Sequence, residues 1–130
     1  MEYLIIGNST AGIGAVEGIR RFDKNGNITV ISAEAHHTYS RPLISYLLQG
    51  KVDMEKMKYR PDDFYEKNRC RLIFKKAAKI DGKGKKVYLE SGEAIQYDKL
   101  LVATGSSPAV IPIEGLDGVA QKFTFMSLDD

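Results

Sequence analysis

The chain has 130 residues, enough for one domain with a buried core but short for an enzyme that carries two nucleotide sites. With 43% hydrophobic residues, 28% charged residues and a net charge of +2, its composition is that of an ordinary soluble protein, with too little charge bias for a nucleic-acid or membrane-surface binder. No apolar run approaches the roughly 18 to 20 residues of a membrane span, no basic region precedes an apolar stretch as in a signal peptide, and the single cysteine, Cys70, excludes an intrachain disulfide and a Cys-x-x-Cys centre. A reduced, cytoplasmic α/β protein is expected.

Tyr3-Leu4-Ile5-Ile6 is apolar and partly β-branched, the pattern of a parallel strand buried on both faces. After a glycine turn, Ala11, Ala15, Val16, Ile19 and Phe22 recur at helical spacing, with Arg20 and Arg21 near the end, where cations suit the helix dipole. Asp23 to Asn27 has turn chemistry, and Ile28-Thr29-Val30-Ile31 reads as a second buried strand. Strand, helix and strand make a βαβ unit. In "HHTYSRPLISYLLQG", Ser40 is placed as a helix cap, Pro42 in the first turn and Gly50 as the stop. A second short helix is predicted from Pro61, with Asp62 and Asp63 at its positive end. Arg71 to Phe74 reads as a strand. Ala77 to Tyr97, broken by Gly82, Gly84 and Gly92, reads as a small antiparallel meander. Leu100 to Ala103 returns to a buried strand, ending at Thr104-Gly105. The predicted fold is α/β: a Rossmann-like parallel sheet with flanking helices and an attached β-meander.

The turn between the first strand and helix, Gly7-Asn8-Ser9-Thr10-Ala11-Gly12, resembles a dinucleotide fingerprint with serine at the middle glycine. In such a turn Gly7 permits the tight exit, the middle place admits a pyrophosphate, and Gly12 lets helix and strand pack closely. Ser9 is the smallest change from glycine, and its hydroxyl can donate to a phosphate. The phosphates would rest on N–H groups at the helix start. A P-loop is excluded, because Ile13 and Gly14 stand where lysine and then serine or threonine are required. Glu34 lies about twenty residues beyond the turn, where an acidic residue binds ribose hydroxyls. A ligand-free strand–helix turn and a solvated loop glutamate are the plain alternatives.

"YLIIGNSTAG", "YSRPLISYLLQGKV" and "YDKLLVATGSSP" together resemble the FAD-binding part of the pyridine nucleotide–disulfide oxidoreductase superfamily. The nearest branch looks like NADH:rubredoxin reductases, ferredoxin reductases and NADH oxidase-like flavoproteins, over essentially the whole chain. The resemblance implies that Gly7, Ser9, Ala11 and Gly12 cradle the FAD pyrophosphate and that Glu34 takes the adenosine ribose, although relatives often carry the acid where this chain has Ser32 and Ala33. It implies that Arg41 and Pro42 lie along the flavin end, that the backbone at Ala77 contacts adenine, and that the chain passes the cofactor at Ala103, Thr104 and Gly105. The family's Cys-x-x-x-x-Cys pair is missing, and Arg41-Pro42-Leu43 occupies the place of the single redox cysteine of NADH peroxidases. Cys70 is read as structural. The implied chemistry is therefore flavin-only electron transfer from NAD(P)H through FAD to a protein or small acceptor, with no catalytic side chain and no metal assigned. By the same resemblance, residues 1–110 form the FAD-binding part, and 111–130 a linker with the start of a nicotinamide-binding domain. The 130 residues alone are expected to be inactive. The rival readings are a stand-alone nucleotide-binding module, or a non-catalytic domain that forms homodimers through an exposed edge.

Overall fold

The computed structural model describes residues 1–130 throughout. In chain order the elements are β1 (Glu2–Ile6), α1 (Thr10–Phe22), β2 (Asn27–Ser32), α2 (Ile44–Leu48), α3 (Met54–Met57), α4 (Phe64–Lys67), β3 (Cys70–Phe74), β4 (Ala77–Asp81), β5 (Lys86–Leu89), β6 (Ala94–Gln96) and β7 (Lys99–Val102). Four strands form a wholly parallel sheet in the order β3-β2-β1-β7, and β4, β5 and β6 form an antiparallel meander. Both the parallel sheet and the meander agree with the fold read from the sequence, but β7, expected to be buried, is an edge strand with Leu101 and Val102 exposed.

Strand alternation explains why Leu4, Ile5 and Ile6 of β1 and Ile28, Val30 and Ile31 of β2 are all apolar and buried. Leu4 and Ile6 of β1 join Ile31, Ile73, Val87, Leu89 and Tyr97 in one core cluster, under the meander. Ile5, between them, joins Ile13, Val16, Ile28, Val30, Phe64 and Tyr65 in a second cluster, under α1 and α4. Successive side chains leave a strand on opposite faces, so a sheet covered on both faces needs continuous hydrophobic runs. Each fully buried aliphatic side chain contributes about 1.5 to 3 kcal/mol. The buried stripe of α1 is Gly12, Ile13 and Val16, supported by Ala15 and Ile19. Ala11 is exposed and Phe22 is 92% exposed, against the sequence-based expectation for both. The 3.6-residue period puts them beside the stripe rather than on it.

The end of α1 is tied down by polar groups. Arg20 donates from Nε to the Asn68 carbonyl at 2.6 Å and from Nη1 to the Gly26 carbonyl at 2.8 Å, so it fastens the helix to the loop before β3 as well as meeting the dipole. Asp23 Oδ1 accepts the Asn25 and Gly26 N–H groups at 2.9 and 2.7 Å, and Oδ2 accepts the Tyr3 hydroxyl at 3.0 Å. These bonds, with Gly26 foremost, hold the Asp23 carboxyl below the usual carboxylate range. A depressed folded-state pKa stabilises above the unfolded pKa of about 4 and is lost as pH falls through the folded value. On acidification from about pH 5 to about pH 3, the wild-type melting temperature should therefore fall more steeply than that of Asp23→Asn. Parallel curves would show that these bonds carry no linkage.

The chain falls into two compact units, Met1–Tyr39 with Lys58–Thr104 and Ser40–Met57 with Gly105–Asp130. The first contains both sheets, α1 and α4. In the second, Arg41–Leu43 forms a 3-10 turn leading into α2, and Gly50 stops the segment at φ +68°. Ser40 precedes that turn but makes no side-chain capping bond, contrary to the expected cap. The short α3 was not foreseen. In the first unit, α4 begins at Phe64 instead of Pro61, with Asp63 at its N-cap position. Asp62 and Asp63 spend their carboxylates on Lys58 and Lys67, each at 2.7 Å. Residues 105–130 are irregular apart from a 3-10 turn at Leu116–Gly118. No helix is long and apolar enough to cross a membrane.

Candidate functional site

The sheet order sets the place. From β1 the chain proceeds to β2 and β3 on one side, whereas β7 lies on the other side of β1. Open α/β sheets bind ligands outside the carboxyl ends of strands at such a switch point. Ile6 is in register with Ile31 of β2 and with Val102 of β7, so the residues that follow these strands emerge at one edge. Those residues include Gly7, Glu34, Ala103 and Thr104. Ala77 follows β3, whose Phe74 pairs with Ser32, and therefore leaves the same edge.

Gly7 has φ +120°, a conformation open to glycine and strained for other residues. Its N–H donates to the Ile31 carbonyl at 2.9 Å, while the Ala103 N–H donates to the Ile6 carbonyl at 2.8 Å. A Cβ on Gly7 would lie 2.7 Å from the Ala103 carbonyl carbon and closer still to its oxygen. A Cβ on Gly12 would lie 3.0 Å from the Gly7 carbonyl carbon, again closer to the oxygen. The two glycines thus let three stretches of backbone meet: the strand exit, the start of α1 and the Ala103-Thr104 crossing.

Ser9 is the N-cap of α1, with extended backbone (φ −110°, ψ −162°), and its carbonyl accepts the Ile13 N–H at 3.0 Å. Its hydroxyl makes no capping bond, and the first turn carries no acidic side chain. The N–H groups at a helix start have no partner within the helix, so this end is electropositive and no carboxylate opposes an anion there. A pyrophosphate fits such a donor set. Ala11 is exposed in that first turn. Glu34 is half-buried: its carbonyl accepts the Ser32 hydroxyl at 2.7 Å, and its carboxylate accepts the Tyr39 hydroxyl.

The structure therefore brings Gly7, Gly12, Ala103 and Thr104 into one packed group beside Ser9 and Ala11. Ala77 begins β4 and packs under the meander. Arg41, Pro42 and Gly105 belong to the second unit. There Arg41 Nη1 donates to the Met126 carbonyl at 2.5 Å, Pro42 is exposed, and Gly105 has φ +73°. A groove of about 290 Å³ between α1 and β7 is lined mainly by apolar side chains, among them Ile5, Ile19 and Leu101.

Cys70 is half-buried, and its Sγ–H donates to the Asn68 carbonyl at 3.5 Å. Burial pushes its thiol up to about 11, partly opposed by the Arg20 guanidinium. At neutral pH it is held as the unreactive thiol. Folded protein should react with a disulfide reagent at pH 7.5 at least about tenfold more slowly than a free thiol does. An equal rate would reopen a redox role for Cys70. No group of three or more histidine, cysteine or acidic residues is arranged to hold a metal.

The family model described as Pyridine nucleotide-disulphide oxidoreductase matches residues 1–130. The NADH-dependent phenylglyoxylate dehydrogenase subunit epsilon of Aromatoleum evansii is 38% identical over 130 residues, covering 99% of this chain and 31% of that protein. The crystal structure of NADH:rubredoxin oxidoreductase from Clostridium acetobutylicum superposes with a TM-score of 0.80 at 32% identity, covering 89% of this chain and 30% of that one. The NAD-dependent persulfide reductase from A. fulgidus gives a TM-score of 0.87 at 29% identity, covering 99% of this chain and 25% of that one. This chain thus spans less than a third of the length of each of these three proteins.

Proposed function

This chain belongs to the pyridine nucleotide-disulphide oxidoreductase family, and we propose that it holds FAD in an NAD(P)H-dependent flavoprotein that passes electrons to a protein or small-molecule acceptor. The observation that carries the reading is the α1 start: an uncapped, acid-free helix terminus at the sheet's switch point, reached by a turn whose glycines admit no side chain. In this reading the backbone N–H groups at the helix start and the Ser9 hydroxyl hold the pyrophosphate. Glu34 accepts ribose hydroxyls, oriented by Tyr39 and by its own backbone bond to Ser32. Ala103 and Thr104 close the turn from the far side and so fix where the phosphates rest. The Ala77 backbone meets adenine, while Arg41, Pro42 and Gly105 serve the flavin end. Bound FAD supplies the two-electron chemistry, accepting hydride equivalents and releasing electrons. The protein's part is binding and orientation. The relatives named for NADH and for rubredoxin support a nicotinamide donor and a small redox protein as acceptor.

Titration of the purified chain with FAD and with NADH, followed by flavin and nicotinamide fluorescence, tests the assignment. FAD is expected to bind the more tightly. Tighter binding of NADH would overturn the flavin reading.

A further inference from the structure

The position that a dinucleotide fingerprint leaves open to any residue is occupied here by Asn8, and both ends of its side chain are engaged. Asn8 Oδ1 accepts the Tyr65 hydroxyl at 2.5 Å, from a residue 57 positions further on, in α4. Asn8 Nδ2 donates to the His36 carbonyl at 3.4 Å. The Thr38 backbone N–H bonds the same Tyr65 oxygen, and the His37 ring stands edge-on to the Tyr65 ring at 5.2 Å. Tyr65 is itself buried, 8% exposed. One hydroxyl therefore joins three separate segments: the glycine turn, the loop that follows Glu34, and α4.

The β1–β2 pairing ends at Ile6 and Ile31, with one further bond from the Gly7 N–H to the Ile31 carbonyl. Beyond Gly7 and beyond Ser32, which still pairs with Phe74, the two backbones leave the sheet. The Asn8–Tyr65 bond and its partners tie them together where the ladder has stopped. A pyrophosphate and a ribose in one molecule sit at a fixed covalent separation, and contacts displaced by a fraction of an ångström forfeit part of the binding.

We infer that Asn8 and Tyr65 are positioning residues: through their hydrogen bond they set the separation between the phosphate-holding turn and the loop carrying Glu34, so that one dinucleotide engages both. This rests on the FAD reading above. Neither residue needs to touch the ligand.

Tyr65→Phe keeps the ring and removes only the hydroxyl, and Asn8→Ala removes the bond from its other side. The melting temperature of each ligand-free variant and its FAD affinity are measured on the full 130-residue chain. Each variant should bind FAD about five- to tenfold more weakly while remaining folded. Combined with Glu34→Gln, Tyr65→Phe should add little further loss, because the ribose contact it serves is already gone. Independent, multiplying losses would overturn the inference. So would a lowered melting temperature with unchanged FAD affinity, the mark of a merely structural bond. Wild type that binds FAD while Tyr65→Phe binds it equally well refutes only this inference; wild type that binds NADH more tightly than FAD refutes the FAD reading and this inference together.

Discussion

Gly12→Val is expected to reduce FAD binding by at least about a hundredfold, the largest functional effect of any single substitution in the turn. The reason is where the new atoms must go. Already the Cβ would lie 3.0 Å from the Gly7 carbonyl carbon and nearer its oxygen. Both are backbone atoms of a turn held by the Ile31 carbonyl, so neither can swing aside as a flexible side chain does. α1 must shift away from β1, and with it the N–H groups that face the anion. Gly18, in the same helix, has no atom within 4 Å of its would-be Cβ. Gly18→Ala should therefore leave FAD affinity unchanged and stabilise by about 0.5 to 1 kcal/mol through helix propensity. Isothermal titration with FAD and thermal melting of both variants check the pair. Equal affinity of Gly12→Val and wild type would make the turn purely structural.

Gly7→Ala is expected to cause the greatest loss of stability, about 3 kcal/mol or more. Two penalties combine. A residue with Cβ held at φ +120° is strained by about 1 to 3 kcal/mol. The methyl also collides with the Ala103 carbonyl, and forced overpacking costs about 1 to 3 kcal/mol. Relief requires Ala103 to retreat, which loosens its bond to Ile6 and with it the pairing of β7 to β1. For a domain near this size the melting temperature should fall by roughly 12 °C or more. Chemical denaturation of Gly7→Ala beside wild type measures the loss directly. A change below about 1 kcal/mol would show that the strand exit relaxes freely.

The sheet was readable in the sequence because the strands covered on both faces are short, largely apolar and β-branched runs punctuated by turn residues, from Tyr3 to Ile6 and from Ile28 to Ile31. The meander was readable from Gly82, Gly84 and Gly92, which interrupt short segments. What escaped depended on contacts that no local pattern records. Phe22 continues the helical period yet lies at the helix end, beside the buried stripe. Ser40 has the chemistry of a cap but makes no capping bond. α3 is four residues long, too short for any period to show. Within the candidate site, Gly7 and Gly12 stood out as glycines in a strand–turn–helix setting. The meeting of Gly7 with Ala103 joins strands first and last in the sheet's chain order, and local sequence does not encode that. Asn8 gave no signal, because the fingerprint leaves its position unspecified and its partner Tyr65 is 57 residues away.

The claim that the Gly7–Gly12 turn is the FAD pyrophosphate site is tested most directly by backbone amide NMR of the chain titrated with FAD. The account predicts the largest shifts at the amides of Ser9, Thr10, Ala11 and Gly12, with smaller ones at Glu34 and Ala103. Saturable shifts centred elsewhere, with these amides unmoved, would contradict it.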